Sequence, residues 1–95
     1  MFDWDDSNVN HIARHGVTPV EAEQVILNQA WEVGFQRHRG EIRTAHVGET
    51  DQGRILFVVT TWRKGLIRIV TAFPAKKALR AAYAAQKRKQ IETGI

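Results

Sequence analysis

The feature that most constrains the fold is a β-rich run in the middle of the chain, residues 54–62. Its residues are almost all β-branched, aliphatic or aromatic, which is typical of a strand at the centre of a sheet. A turn at residues 51–53 precedes this run, and the pair Lys64-Gly65 turns the chain into a second run at residues 66–72. With a candidate strand at residues 43–49, the pattern predicts an antiparallel meander of three strands.

Two helices are predicted before the meander. The first runs to about His15, where Gly16 ends it as a C-terminal glycine does. Its candidate N-caps are three polar residues: Asp5, Asp6 and Ser7. The second helix covers residues 19–27, because a capping box and a proline at the first helical position open it at Thr18.

A third helix is predicted after Pro74, where apolar residues begin to recur at helical spacing in an alanine-rich, basic segment. A short strand at the N-terminus completes the order β-α-α-β-β-β-α. This order predicts an α+β fold in which two N-terminal helices and one C-terminal helix pack on an antiparallel sheet. Because 95 residues are too few for a second core, residues 1–95 are expected to form a single domain.

Charge is divided unevenly along the chain. Residues 1–51 carry nine acidic and four basic side chains, whereas residues 52–91 carry ten basic side chains and no acidic one. This distribution favours a polyanion or an acidic protein surface as partner, and a solvated basic helix is the plain alternative. The chain has no cysteine and no apolar run of about 18 residues, so a cytoplasmic location without a membrane partner is expected.

The strands place arginines where a phosphate site can form. Side chains alternate between the faces of a strand, so Arg63 and Arg68, on neighbouring strands, can converge. The arginine fork matches phosphate, and attack by an RNA 2′-hydroxyl needs stabilisation of the phosphorane more than it needs a metal. Four groups are available for proton transfer: His15, Glu41, His46 and Tyr83. Arginines at a solvated sheet edge are the alternative interpretation.

His11 and His15 lie four residues apart on the first helix, a spacing that can direct two imidazoles to one metal ion. Ile12 stands where a zincin-type motif carries its glutamate, and two histidines alone are an incomplete site. We therefore predict no metal and no cofactor. The sequence also lacks a glycine-rich phosphate loop and a nucleophile elbow.

Short sequence blocks follow one another over nearly the whole chain, from residue 2 to residue 83. In order they are FDWDDSN at 2–8, RHGV at 14–17, EA at 21–22, EIR at 41–43, VGET at 47–50, GR at 53–54, VV at 58–59, TWR at 61–63, glycine at 65 and IRIV at 67–70. Their order and spacing resemble those of BrnT-type toxins. No single block is specific, but the ordered set resembles this family throughout.

The resemblance implies a toxin of a type II toxin–antitoxin pair with a RelE-like fold. It implies a metal-independent endoribonuclease that cleaves RNA by 2′-hydroxyl attack and inhibits translation. The implied partner is a BrnA-like antitoxin, through which alone the toxin would reach DNA. The candidate catalytic residues are Arg63, Arg43, Arg68, His15 and Tyr83. The candidate RNA-binding residues are Lys64, Lys76, Lys77 and Arg80.

Two positions depart from the family pattern. Phe73 stands where the family usually carries an arginine, and Leu79 stands near the position of a glutamate. Lys76 or Lys77 is the candidate substitute for the missing charge. The alternative function is therefore a weakly active or inactive toxin homologue that acts as an RNA-binding or antitoxin-binding module.

Overall fold

Five strands and three helices make up the part of the chain that the computed structural model describes, residues 1–93. In chain order they are β1 (Phe2–Asp3), α1 (Asp6–Ala13), α2 (Pro19–Leu27), β2 (Trp31–His38), β3 (Glu41–Glu49), β4 (Ile55–Arg63), β5 (Leu66–Pro74) and α3 (Lys77–Thr93). The predicted α+β class is confirmed. None of the helices within residues 1–93 is long and apolar enough to cross a membrane.

The strands form one sheet in the order β1-β5-β4-β3-β2. The predicted meander is confirmed, because β3, β4 and β5 pair antiparallel. The prediction of a purely antiparallel sheet is wrong, because β1 pairs parallel to β5, with Phe2 opposite Ile67. Helices α1 and α2 and strands β2 to β4 lie between β1 and β5 in the chain. No turn signal in the sequence could therefore set the direction of β1.

The sequence prediction missed strand β2, which pairs antiparallel with β3. Only Trp31 of its eight residues is partly buried, and the other seven are exposed. This strand lies at the edge of the sheet and its register slips between Glu32 and Gly34. An exposed edge strand with a glycine and mixed polarity has no apolar run that a sequence pattern can detect.

The predicted helix ends are largely confirmed. Asp5 is the N-cap of α1, and its side chain accepts hydrogen bonds from the next turn. Helix α1 ends slightly earlier than predicted, and Gly16 follows with a φ of 72°. Helix α2 has the predicted bounds and opens with the predicted capping box between Thr18 and Glu21. Local capping chemistry therefore decides where both helices begin.

The sheet has two faces, and the helices cover them unequally. Helix α2 packs on the back face and helix α1 lies along β5, and Ile12 and Val25 of these helices are fully buried with Leu56 in the main core. Helix α3 packs on the front face through Tyr83 and Ala75, which contact the buried Val47 of β3. Because α3 reaches only this end of β3, the opposite end of the front face stays open to solvent.

Candidate functional site

A cleft of about 720 Å³ opens at the uncovered end of the front face. Helix α1 forms one wall, and the ends of β3, β4 and β5 form the floor. The side chains with the chemistry to act on a ligand are His11, Arg14, Glu41, Arg43, Thr61, Arg63 and Arg68. We call this concavity the arginine cleft, because β3, β4, β5 and the C-cap of α1 each contribute one arginine.

Arg63 and Arg68 converge in the arginine cleft, as their strand positions predict. The Nε atom of Arg63 lies 3.7 Å from Oδ2 of Asp3, and Nη1 of Arg68 lies 3.4 Å from the same oxygen. The parallel pairing of β1 places Asp3 directly opposite Arg68 in the sheet. The N-terminal strand that completes the sheet therefore also supplies a carboxylate between the two arginines.

Arg68 is held more firmly than the other arginines of the cleft. Only 15% of its side chain is exposed, and it contacts both Asp3 and Asp5, with Nη1 3.1 Å from Oδ2 of Asp5. The hydrogen bond from Arg68 is the main reason why the pKa of Asp5 lies below its ordinary value. Because its guanidinium already pairs with two carboxylates, Arg68 holds the N-terminal segment in place and adds positive charge to the cleft.

Arg63, Arg43 and Arg14 retain more donors for a ligand. Half of the Arg63 side chain is exposed, and its ion pair with Asp3, at 3.7 Å, is long. Arg43 donates from Nε to Oε1 of Glu41 at 2.8 Å, which leaves its terminal nitrogens available. In the described part of the chain Arg14 has no ion-pair partner. Arg14 is not among the site residues predicted from the sequence, although it follows His11 by three residues, about one helical turn.

His11 lies in helix α1 and His15 just after it, and only one of these two histidines lines the arginine cleft. His11 lines the arginine cleft, and its Nε2 lies 2.9 Å from Oγ1 of Thr71. The predicted catalytic residue His15 does not line the cleft. Its ring lies 5.4 Å from that of His11 and 5.8 Å from that of Phe73. Within residues 1–93 no three histidine, aspartate or glutamate side chains come together to hold a metal ion.

Tyr83, the other predicted proton-transfer residue, does not lie in the arginine cleft. Its hydroxyl donates to Oε1 of Glu49 at 3.2 Å, and Lys87 pairs with the same carboxylate. The ring packs against Val47 and borders a separate cavity between α3 and β3. Burial is the main reason why the pKa of Tyr83 is raised. The position of Tyr83 in this structure is that of a residue that attaches α3 to the sheet.

The four predicted RNA-binding residues are exposed and lie outside the lining of the cleft. Lys64 lies in the β4–β5 turn with a φ of 54°. Lys76 and Lys77 lie where α3 begins, and Arg80 in its first turn donates to the carbonyl oxygen of Ala75 at 2.6 Å. These residues add positive charge around the sheet. None of them lines the arginine cleft.

Phe73, which stands where the resemblance expects an arginine, packs on the front face. Its ring stacks on that of Phe57 with the centroids 5.1 Å apart and an interplanar angle of 25°. The ring of His15 meets its edge. The phenyl group is partly buried by these contacts. Phe73 therefore joins an aromatic cluster beside the arginine cleft and does not line the cleft itself.

His46 lies on the back face, away from the arginine cleft. Its Nε2 is 2.9 Å from Oγ1 of Thr60, and both residues border a small cavity of about 170 Å³. Burial lowers the pKa of His46 below its ordinary value near 6.5, and the nearby Glu32 opposes this effect. The structure therefore separates this predicted proton-transfer residue from the arginines by the thickness of the sheet.

The lowered pKa of His46 predicts a pH dependence of stability. Below pH 6.5 the unfolded chain takes up a proton at this residue more readily than the folded protein does. The free energy of unfolding should therefore fall as the pH drops from 6.5 towards the lower pKa of the folded state. Urea unfolding at a series of pH values measures this fall in the free energy of unfolding. The variant His46→Gln should not show it. His38→Gln, on exposed strand β2, is the control. If His46→Gln loses as much stability below pH 6.5 as the wild type does, another group causes the loss.

The chain matches a model of a known protein family. Residues 4–78 match the family model described as ribonuclease toxin, BrnT, of type II toxin–antitoxin system. The matched segment contains every residue that lines the arginine cleft and ends at the second residue of α3. No curated protein matches the chain.

Proposed function

This chain belongs to the BrnT family of ribonuclease toxins of type II toxin–antitoxin systems, and from that premise we propose that it is a metal-independent endoribonuclease that cuts RNA in the arginine cleft and so inhibits translation. One observation carries the proposal: four arginines, from three strands and the C-cap of α1, meet in one open cleft together with a histidine. The α+β element order supports the further proposal that the fold is RelE-like.

The proposed reaction needs no group beyond the RNA and the side chains of the cleft. The 2′-oxygen of one nucleotide forms a bond to the adjacent phosphorus, and the bond from phosphorus to the 5′-oxygen of the next nucleotide breaks. One proton leaves the 2′-hydroxyl and one joins the 5′-oxygen. Negative charge builds up on the phosphorane between these events, and guanidinium donors directed at its oxygens lower the barrier.

Within the cleft the arginines divide this work. Arg63 is half exposed and its ion pair with Asp3 is long, so its guanidinium can turn to the phosphorane. Arg43 keeps its terminal nitrogens available beside Arg63. Arg68, held by Asp3 and Asp5, acts as a positioning residue that keeps positive charge under the site.

Proton transfer is assigned to the groups that line the cleft. His11 and Glu41 both do so, and an imidazole and a carboxylate are suited to take and return one proton each. His15 lies behind His11 at ring contact, so we assign it the role of positioning the His11 ring. Tyr83 is assigned no chemical role, because its hydroxyl is bonded to Glu49 at the α3 end of the sheet.

Expression in a bacterial host tests the toxin function. The chain is induced alone and together with the antitoxin encoded beside it, and growth and the integrity of cellular RNA are followed. Growth arrest with RNA cleavage, reversed by the antitoxin, is the expected result. Unimpaired growth with intact RNA, at an expression level verified by immunoblot, would overturn the proposal.

A specific observation favours one alternative function. Phe73 packs its ring on Phe57 where the resemblance expects a charged side chain, so one possible phosphate contact is absent. A homologue that binds RNA or the antitoxin without cutting RNA would have this feature. A purified protein that binds RNA with a steep salt dependence but releases no fragments would support this alternative.

The proposed protein partner is a BrnA-like antitoxin, and DNA is contacted only through it. The surface from strand β4 to helix α3 carries no acidic residue between residues 52 and 91. An acidic or amphipathic antitoxin segment would gain both charge complementarity and apolar contact there. Hydrogen exchange of the complex is expected to show protection in β4, β5 and α3. Protection confined to residues 1–40 would contradict this placement.

A further inference from the structure

A second concavity, of about 440 Å³, lies on the front face beside the arginine cleft. Its floor is a row of four residues at one level of the sheet: Gly34, Ala45, Val59 and Thr71. The register pairs each of them with the next, from β2 across β3 and β4 to β5. We call this concavity the trough. Its size falls within the range of about 300–1,000 Å³ that small-ligand sites occupy.

The trough exists because two neighbouring floor residues, Gly34 and Ala45, are small and its walls are large. Gly34 has no side chain, and nothing lies within 4 Å of the place where a Cβ would be. Phe57, supported by its stack with Phe73, forms one wall. Gln36 and Arg43 are paired across β2 and β3 and form the other wall. The result is an apolar floor between an aromatic ring and two planar polar groups.

The trough and the arginine cleft are continuous. Arg43 and Val70 line both concavities. Val70 has no partner in β4, because β5 carries one extra residue at this point, and such a bulge redirects the side chains around it. Thr71 of the trough floor also contacts His11 of the cleft. A ligand that binds its phosphate in the cleft could therefore place the group attached beside that phosphate in the trough.

We propose that the trough binds the nucleobase of a nucleotide adjacent to the scissile phosphate, and that Gln36 reads the edge of that base. Single-stranded RNA is recognised by stacking of unpaired bases on aromatic rings or guanidinium planes and by hydrogen bonds to their edges. Phe57 and Arg43 offer the stacking surfaces, and Gln36 and Thr71 offer donors and acceptors. This inference rests on the proposed function, since it takes the phosphate to lie in the arginine cleft.

Gly34→Val is the direct test, because it fills the trough from β2. Gly34 has no positive φ and has open space for a side chain, so the fold should tolerate the change. Thr44→Val is the matched control, because it introduces the same side chain on the back face of the neighbouring strand. Thermal unfolding of both variants verifies that they remain folded.

The probe is a short single-stranded RNA that carries the cleavage site mapped with the wild-type protein, made uncleavable by a 2′-deoxy substitution at that site. Binding at fixed salt is compared with the same RNA lacking one base beside the site. Base stacking is worth about 1–3 kcal/mol, which corresponds to about 5- to 150-fold in affinity. Wild type and Thr44→Val should show this loss for the abasic RNA. Gly34→Val should bind both RNAs with the same, weaker affinity.

Gln36→Ala tests the reading of the base edge. It should change which base is preferred beside the cleavage site while RNA is still cut, because the arginines are untouched. If Gly34→Val and Gln36→Ala both bind and cut as the wild type does, the trough assignment is wrong and the proposed function stands. If Gly34→Val loses only antitoxin binding or self-association, the trough is a protein-docking surface and the assignment is also wrong. A wild-type protein that binds no RNA would overturn the proposed function and this assignment together.

Discussion

Arg63→Ala is expected to slow RNA cleavage by about 10²–10³-fold and to abolish toxicity, while the protein remains folded. Loss of one donor that stabilises a developing charge typically has an effect of this size. The cost in stability should be small, because half of the Arg63 side chain is exposed and its ion pair with Asp3 is long. A surface ion pair of this kind is worth about 1 kcal/mol or less.

The measurement is the single-turnover cleavage rate of a purified variant, with thermal unfolding as the test of folding. Arg37→Ala is the matched control, because it removes an exposed arginine of β2 that does not line the arginine cleft. A well-folded Arg63→Ala protein that still cuts RNA at the wild-type rate would remove Arg63 from the site. A control that slows equally would mean that any loss of positive charge weakens RNA binding.

Leu56→Ala is expected to lower the free energy of unfolding by about 2–5 kcal/mol, the range for a large apolar side chain removed from a packed core. Leu56 is fully buried in the main core between the sheet and the helices α1 and α2. A domain of this size loses about 4–8 °C in melting temperature per kcal/mol. Toxicity should fall as well, because part of the chain would be unfolded in the cell.

Urea unfolding measures the loss, and Ile42→Ala is the control. Ile42 is 51% exposed, so its replacement should change stability by no more than about 0.5 kcal/mol. Leu56→Ala and Arg63→Ala thus lose toxicity for different reasons, and only Leu56→Ala should do so by unfolding. A Leu56→Ala protein as stable as the wild type would mean that the sheet does not pack on α1 and α2 as described.

The helices and the central strands could be predicted because local chemistry determines them. The capping box at Thr18 and the glycine at position 16 set helix ends, and the apolar run of β4 identifies a central strand. Strand β2 could not be predicted, because exposed edge strands have no buried face to impose a pattern. The direction of β1 depends on a tertiary contact with β5, which no neighbouring turn encodes.

The candidate site could be predicted where strand alternation decides it and not where helix packing does. The convergence of Arg63 and Arg68 follows from alternation along β4 and β5. The placement of His11 and Arg14 in the arginine cleft depends on how α1 lies against β5, which the spacing of residues on one helix does not specify. Tyr83 was assigned to the site from its chemistry alone, whereas its helix packs at the other end of the front face.

An RNA with a single 2′-deoxy nucleotide tests whether the protein cuts RNA by attack of the 2′-hydroxyl. The purified protein is incubated in chelator with an RNA that contains one cleavage site, and with the same RNA lacking only the 2′-hydroxyl at that site. We expect the unmodified RNA to be cut to a 2′,3′-cyclic phosphate and a 5′-hydroxyl, Arg63→Ala to cut it about 10²–10³-fold more slowly, and the 2′-deoxy RNA to stay intact. Cleavage of the 2′-deoxy RNA at the same site would contradict the proposed attack by the 2′-hydroxyl. If chelator abolished all cleavage and added metal restored it, the proposed metal independence would be wrong.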